Sequence, residues 1–474
     1  MCARLGRLLS GVLLVMICLS VHALGEVVME EVDEGLIFLS FSTPSPDPVQ
    51  NPALIPTNTE APDQLKATAA PKATATPKVT ATPKTKNTAT PKATATPKTK
   101  YTATPEPTAA SKVTATPLAE PEATYYVYEN PETQTDAQTL TLSFVGDCSI
   151  GDTVKAVKKK NSMTGMIADN GDEWLFSTVS DIFHADDFTF ANLESVLTDN
   201  MAPLYPLKTY NLVGPSSHRE VLRVSGIDGL NTVNNHCIDF KYSGYEDTLA
   251  NLEAVGLIHF GTLNPARTTN RYVHLGRIEI KGVRIGVTGY AYPVNDNTIE
   301  YIRSDIAKLR EEGCQIVIVS LHWGTEEQST PNKGQFPFAK KILDAGADMI
   351  WGHHPHVLQP VYFCDGKPIF FSTGNFVFGT IKSLDPASGI FQLSWDIHED
   401  GTVSLASFHM IPTEMRHNKE YRPLLLEDQA AQEKCLKHIM GKARDGYDEL
   451  PDGFEKTGTV YIDKDGSLSL HPIP

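Results

Sequence analysis

Three histidines fall within four residues in Gly352-His353-His354-Pro355-His356, a density with no obvious packing purpose. Four other short polar clusters stand out: Gly146-Asp147, Asn192-Leu193-Glu194, Asn234-Asn235-His236 and His322-Trp323-Gly324. Singly, each has a plain structural explanation. Gly-Asp is a common strand-to-turn pair in which Asp bonds nearby amides. Asn192 to Glu194 would cap a following segment, and His322 would be a satisfied histidine at the rim of a core. Together, Asp147, Glu194, Asn235, His236, His322, His353, His354 and His356 offer carboxylates, an amide and imidazoles. That mixed oxygen and nitrogen set suits a borderline divalent metal such as Mn, Zn or Fe better than Ca or Mg alone. Carboxylates offset the cation's charge and can bridge two ions, so one or two ions are expected.

Such groups are useful only if the chain brings them to one place. Each cluster sits where an apolar segment runs out. Thr139 to Val145 alternates like a strand and stops at Gly146-Asp147. Asp187 to Ala191 ends at Asn192, and Gly226 to Val233 ends at Asn234. Val283 to Gly289 reads as a strand. Gln315 to Leu321 is a near-continuous apolar run, as expected of a strand buried on both faces. Asp348 to Trp351, Pro368 to Ser372, Ile390 to Ile397 and Thr402 to Met410 read as further strands. Tyr245 to Val255, Ile299 to Glu312 and Phe336 to Ala345 have helical character. The pattern predicts an α/β protein. In open α/β sheets the loops at the carboxyl ends of strands gather on one edge, where ligands bind. Convergence on such an edge is the expectation.

At 474 residues the chain is long enough for two or three domains of about 100–200 residues each. Its net charge of -16 disfavours a broad basic face, so nucleic acid is not expected as a partner. Basic charge is concentrated in residues 64–118, with nine Lys against the single acid Glu106. From Pro44 to Thr124 a Thr/Pro/Ala/Lys unit recurs, as in Lys72-Ala73-Thr74-Ala75-Thr76-Pro77-Lys78. Proline removes amide donors, and Ala, Thr and Lys leave little to bury. Residues 26–125 are therefore expected to form a disordered, partly PPII-like stalk. Ahead of it, Arg4 and Arg7 precede the uncharged run Leu8 to Gly25, with Val21-His22-Ala23 at the usual cleavage positions. Residues 1–25 thus read as a signal peptide or an uncleaved signal anchor, and the protein as extracytoplasmic: membrane-anchored, cell-wall-associated or secreted. Five cysteines follow the leader, an odd and widely spaced set that suits buried thiols better than a disulfide scaffold.

The order and wording of the motifs, closing with Gly352-His353-His354-Pro355-His356-Val357-Leu358-Gln359-Pro360 and Gly374-Asn375-Phe376-Val377-Phe378, resemble the CapA/PgsA family of poly-γ-glutamate capsule synthesis. The resemblance spans roughly Leu140 to Ile411. It implies a calcineurin-like metallophosphatase fold, a four-layer α/β/β/α sandwich. That domain would occupy residues 139–415, with 416–474 as an extension packed on it. It also implies an exported protein acting in polymer synthesis, export or anchoring. Its partners would be an anionic polymer such as polyglutamate and membrane-bound capsule synthase subunits.

Carried onto this chain, the metallophosphatase pattern implies metal ligands at Asp147, Glu194, Asn235, His322 and the His353, His354, His356 cluster. It implies catalytic roles for Asn235 and His236, with His236 protonating the leaving group of a phosphoester or some γ-glutamyl or polymer linkage. Two departures matter. Asp147 is followed by Cys148 and Ser149 where the pattern has Asp-x-His, so one imidazole is absent. The closing Gly-His-x-His fits in two registers, with either His353 or His354 joining His356. Two alternatives stay open: a non-catalytic polymer-binding accessory subunit with a relic site, and an extracytoplasmic phosphoesterase acting on another substrate. Glu326 and Asp152 read as surface charges more readily than as site residues.

Overall fold

The computed structural model describes residues 27–32, 36–41, 126–128, 138–202, 204, 208–263, 272–379, 385–415, 420–440, 450–456, 460–462 and 468–470. The expected leader, and the Thr/Pro/Ala/Lys repeat, lie outside these residues. The chain divides into residues 1–112 and 113–474. In the first unit, Val27–Val32 pairs antiparallel with Leu36–Phe41, ahead of the repeat.

The second unit is mixed α/β, with seven α-helices, one sheet of eleven strands and one of eight among the described residues. Four neighbouring strands of the larger sheet run parallel: Ile258–Thr262, Gly229–Asn231, Phe188–Leu193 and Thr139–Cys148. Beyond them the long hairpin of Ala387–Ile397 and Val403–Met415 pairs antiparallel. In the smaller sheet Val283–Ala291, Ile316–His322, Met349–His353 and Lys367–Phe370 are parallel. All seven residues of Ile316–His322 are buried, as its apolar run requires.

Side-chain parity explains the packing, because successive residues of a strand point to opposite faces. Leu142, Phe144, Phe188, Phe190, Ile316, Ile318, Met349 and Trp351 belong to one apolar cluster drawn from both sheets. The Trp351 ring lies 5.5 Å from Phe144 and 6.3 Å from Phe190. Truncating so central an aromatic typically costs about 3–5 kcal/mol. The intervening residues turn the other way. Val317, Val319 and Leu321 pack with Ile299, Ile302, Ile306 and Leu309 of helix Asp296–Glu311 and with helix Gln335–Asp344. Asn295 caps the first of these helices by accepting from the amides of Asn297 and Thr298. Val145, Ala191, Leu193 and Leu230 pack with helix residues Met163, Ile167, Phe183 and Leu222.

Most expected elements occur within a few residues of their sequence bounds. Three differences are informative. The first strand was expected at Thr139, yet Tyr126–Val127 already pairs in parallel with Ile278 and Glu279. The polar residues after Glu414 include helix Gln429–Ile439, whose Cys435, Leu436 and Ile439 join the inter-sheet cluster. Asp152 is not a surface charge: it is buried and accepts from the amides of Met163 and Thr164, capping helix Met163–Asn170. Cys148, Cys237, Cys314, Cys364 and Cys435 are free, buried thiols. Among the described residues no helix is long and apolar enough to cross a membrane.

Candidate metal centre

Strand register lines the polar residues up in two rows. In the larger sheet Asp147 is level with Asn192, and Asn192 with Asn231, while Asn375 pairs with Asp147 from the short strand Asn375–Val377. In the smaller sheet Ala291, His322 and His353 are level. Parity places His322 on the same face as Ile318, and His353 on the same face as Trp351. Asp147 would point the wrong way in a regular strand, since odd-numbered Val145 packs towards the helices. A register irregularity between Phe144 and Asp147 re-aims it. Glycine is needed there: a Cβ on Gly146 would come within 2.1 Å of the Gly374 carbonyl oxygen. The same close approach lets the Asp147 amide donate to Gly374 O at 2.9 Å.

Asp147, Glu194, His322 and His353 are fully buried, and one ligand atom each from Asp147, Glu194 and His322 lies within 4.8 Å of the others. Asn192 Nδ2 donates to Asp147 Oδ1 at 2.7 Å, while Asn192 Oδ1 accepts from Asn231 Nδ2 at 2.8 Å. His322 Nε2 is 2.9 Å from Asn235 Oδ1 and 3.6 Å from Glu194 Oε1. His356 Nε2 is 3.8 Å from the same Glu194 oxygen. Asn375 Nδ2 donates to the His356 carbonyl, which turns Asn375 Oδ1 towards His356 Nδ1 at 2.9 Å. Nδ1 is thereby the donor to Asn375, and Nε2 is the nitrogen that faces Glu194.

Burial sets the protonation states. It holds the His322 imidazolium form well out of reach, aided by His354 and His353 beside it, so His322 is neutral. His354 is pushed down to about 3 by burial and by His356. Burial, then the charges of Asp147 and Glu326, push the Glu194 carboxyl well up. Burial would raise Asp147 too, but the His353 hydrogen bond and charge carry it below the usual range. His322 and Glu194 are thus not an ion pair despite their proximity. Neutral imidazoles and a carboxyl that ionises when a cation arrives are the states that metal binding selects.

The donor set fits a divalent ion. Both buried oxygens of Glu194 accept no hydrogen bond from the described residues. An unmet buried carboxylate is costly, and a cation would offset that cost. Two bonds of about 2.1 Å at ordinary coordination angles separate ligand atoms by about 3.0–3.4 Å. The spacings around Glu194 and His322 are close to that range.

The structure brings together Asp147, Glu194, Asn235, His322, His354 and His356. The His354 amide donates to Asp147 Oδ2 at 3.3 Å, and its ring lies 4.8 Å from His322. His353 sits behind Asp147 instead, its Nδ1 3.2 Å from Asp147 Oδ1 and its ring against Trp351. His236 lies at the margin, its Nδ1 2.7 Å from Asp239 Oδ2. Burial lowers its pKa, and the charge of Asp239 opposes that. Asn192, Asn231, Asn375 and Asp239 were not singled out as site residues. Asn192 and Asn375 lay inside quoted motifs, while Asp239, three residues past His236, carried no separate signal.

Fold and site together define an α/β protein with a buried carboxylate–amide–imidazole cluster at the carboxyl ends of its strands. The sequence profile described as "Bacterial capsule synthesis protein PGA_cap" matches residues 141–380, half of the chain. The chain belongs to that family. It is 32% identical over 297 residues to the PGA biosynthesis protein CapA of Bacillus subtilis (strain 168), covering 57% of this chain and 75% of that protein. It is 26% identical over 295 residues to the capsule biosynthesis protein CapA of Bacillus anthracis, covering 58% and 68%. A probable polyglutamine synthesis accessory protein of Mycobacterium tuberculosis is 32% identical over 165 residues, or 30% of this chain and 43% of that one.

Proposed function

We propose that this chain is an exported, cell-surface protein of capsule or poly-γ-glutamate synthesis, export or anchoring, whose strand-end cluster holds a divalent metal, Mn, Zn or Fe. Glu194 carries the metal reading: a buried carboxylate without a donor among the described residues, beside the ring nitrogens of His322 and His356. The names of the Bacillus relatives support the polymer role, with an anionic polymer such as polyglutamate and membrane-bound synthase subunits as partners. The uncharged run Leu8 to Gly25 after Arg4 and Arg7 supports export and an extracytoplasmic location. Apolar clusters between the two sheets and on their outer faces support the four-layer α/β/β/α reading.

When bound, a divalent ion supplies Lewis-acid activation of water and of an anionic oxygen. Asp147, Glu194, Asn235, His322 and His356 would hold it. His236, steadied through Nδ1 by Asp239, would present Nε2 to a leaving group and, when that nitrogen is protonated, give up the proton there. The reaction class is hydrolysis of a phosphoester or a γ-glutamyl or related polymer linkage. Ser149, fully buried where the metallophosphatase pattern has an imidazole, favours a second reading: a non-catalytic accessory subunit that holds polymer. The purified full chain, supplied with Mn²⁺ or Zn²⁺, separates the two when assayed on chromogenic phosphomono- and phosphodiesters and on polyglutamate. Turnover abolished by Asp147→Ala supports hydrolysis. Polymer binding without turnover supports the accessory role, and neither would refute both.

A further inference from the structure

The chain's net charge is -16, yet Lys155, Lys158, Lys159 and Lys160 crowd one exposed turn. Between Asp152 and Asp169 the chain has no acid and no arginine. Between Asp199 and Glu220 it has no acid either, and Lys208 lies there. We propose that Lys155, Lys158, Lys159 and Lys160 form a docking track for a carboxylate polymer, which Lys208 links to the strand-end site. The inference rests on the polymer role proposed above and names the surface that would serve it.

The turn is fixed to the frame of the site itself. Strand Asp152–Thr153 pairs with Leu212–Gly214, and the Val154 amide donates to the Asn211 carbonyl at 3.1 Å. Val154 and Val157 pack on Val196, Val213 and Phe240, while the four lysines stay exposed. Helix Met163–Asn170 closes in so tightly that a Cβ on Gly165 would lie 2.4 Å from the Lys160 carbonyl oxygen. The Leu212 amide donates at 2.7 Å to Asp239 Oδ2, the oxygen that holds His236. Lys208, its side chain a quarter exposed, donates from Nζ to Asp239 Oδ1 and to the Asn235 carbonyl, both at 2.5 Å. One short segment, residues 208–212, thus joins the lysine turn to Asn235 and Asp239.

Electrostatics favours an anionic partner with many single charges. Lys155, Lys158 and Lys159 are exposed without an ion pair among the described residues. Lys160 pairs with Asp169 at 3.9 Å, and both side chains are exposed, so the pair is worth little. Like charges so close repel one another, and a polyanion would relieve that repulsion. A lysine ammonium is a point charge suited to single carboxylates, whereas phosphate recognition favours the arginine fork missing here. The acidity of the whole chain disfavours nucleic acid. A polymer with one carboxylate per unit would lay several of them along the turn while a neighbouring linkage reaches the site past Lys208.

Fluorescence anisotropy of end-labelled poly-γ-glutamate with the full chain, in EDTA so that no cation bridges carboxylates, tests the proposal. The wild type is expected to bind. Lys155→Gln, Lys158→Gln, Lys159→Gln and Lys160→Gln, combined in one variant, should weaken binding about 10-fold or more and flatten its salt dependence. The same four positions changed to Arg should keep both, because the charge is retained. The nine lysines of residues 64–118 are present in every variant, so a difference between variants belongs to the turn. Equal binding by the wild type and the Gln variant overturns the track and leaves the polymer role standing. A wild type that binds no polyglutamate overturns both. Turn-dependent binding that is tighter for single-stranded DNA or for phosphatidylglycerol vesicles assigns the turn to another polyanion and overturns the proposal.

Discussion

The larger sheet of the second unit carries buried acids at both of its ends, and they are treated differently. Buried Asp186 and Asp187 and the half-buried Asp228 precede strands Phe188–Leu193 and Gly229–Asn231. Asp187 accepts from the Thr141 amide at 2.8 Å and pairs with Lys281 at 2.9 Å. Asp228 accepts from the Thr189 amide at 2.8 Å and from the Tyr128 hydroxyl, and Asp186 accepts from the Thr189 hydroxyl at 2.8 Å. Amides, hydroxyls and one ammonium make that end a structural joint. At the other end Asp147 and Glu194 face amides and imidazoles, and neither Glu194 oxygen has a hydrogen-bond donor among the described residues. Burial alone therefore does not mark function. What marks it is a buried acid whose needs the protein leaves unmet.

The contrast can be broken by exchanging its outcomes. Asp147→Ala should weaken Mn²⁺ binding by about 100-fold or more, beyond the loss usual for an outer-shell partner, and isothermal titration reads it. Lys281→Ala should instead leave metal content unchanged and lower stability by about 2 kcal/mol in urea unfolding. It removes an ammonium beside the buried Asp187, and the figure is below that for a fully buried pair because the Thr141 amide remains and the lysine is partly exposed. If Lys281→Ala altered metal content, the two ends would not be separable.

A pH series sharpens the same comparison. Burial pushes the Asp228 carboxyl up to about 7, from an ordinary value near 4 in the unfolded chain. Between those values the folded state binds the proton more tightly, so this group's contribution to stability falls as pH rises from about 4 to about 7. Asp228→Asn should flatten that part of the stability–pH curve of the chelated protein and leave metal affinity alone. The smallest effect is expected at His353, which touches Asp147 rather than the space between Glu194 and His322. His353→Gln should weaken the ion by about 10-fold, less than His356→Ala does.

How far the site was legible follows from strand geometry. His322 and His353 end apolar strands with regular alternation, so their shared face with Ile318 and Trp351 follows from a period of two. The near-continuous run Gln315 to Leu321 announced a doubly buried strand for the same reason. Asp147 was legible as a residue type but not as a direction, because the irregularity after Phe144 that re-aims it depends on Gly374 pressing against Gly146. Glu326 is exposed, as its reading as a surface charge expects, but the bonds that carry its turn to Pro355 and Gln359 join segments about thirty residues apart and were not legible. Asp152 read as exposed because its helix, Met163–Asn170, has too weak an apolar pattern to announce itself. Each miss is a long-range contact that local pattern does not encode.

The most direct test is anomalous diffraction at the zinc edge from crystals of this protein grown with Zn²⁺. The account predicts a peak about 2.0–2.2 Å from ligand atoms of Asp147, Glu194 and His322. Zinc confined to surface carboxylates, with no peak among those three side chains, would contradict it.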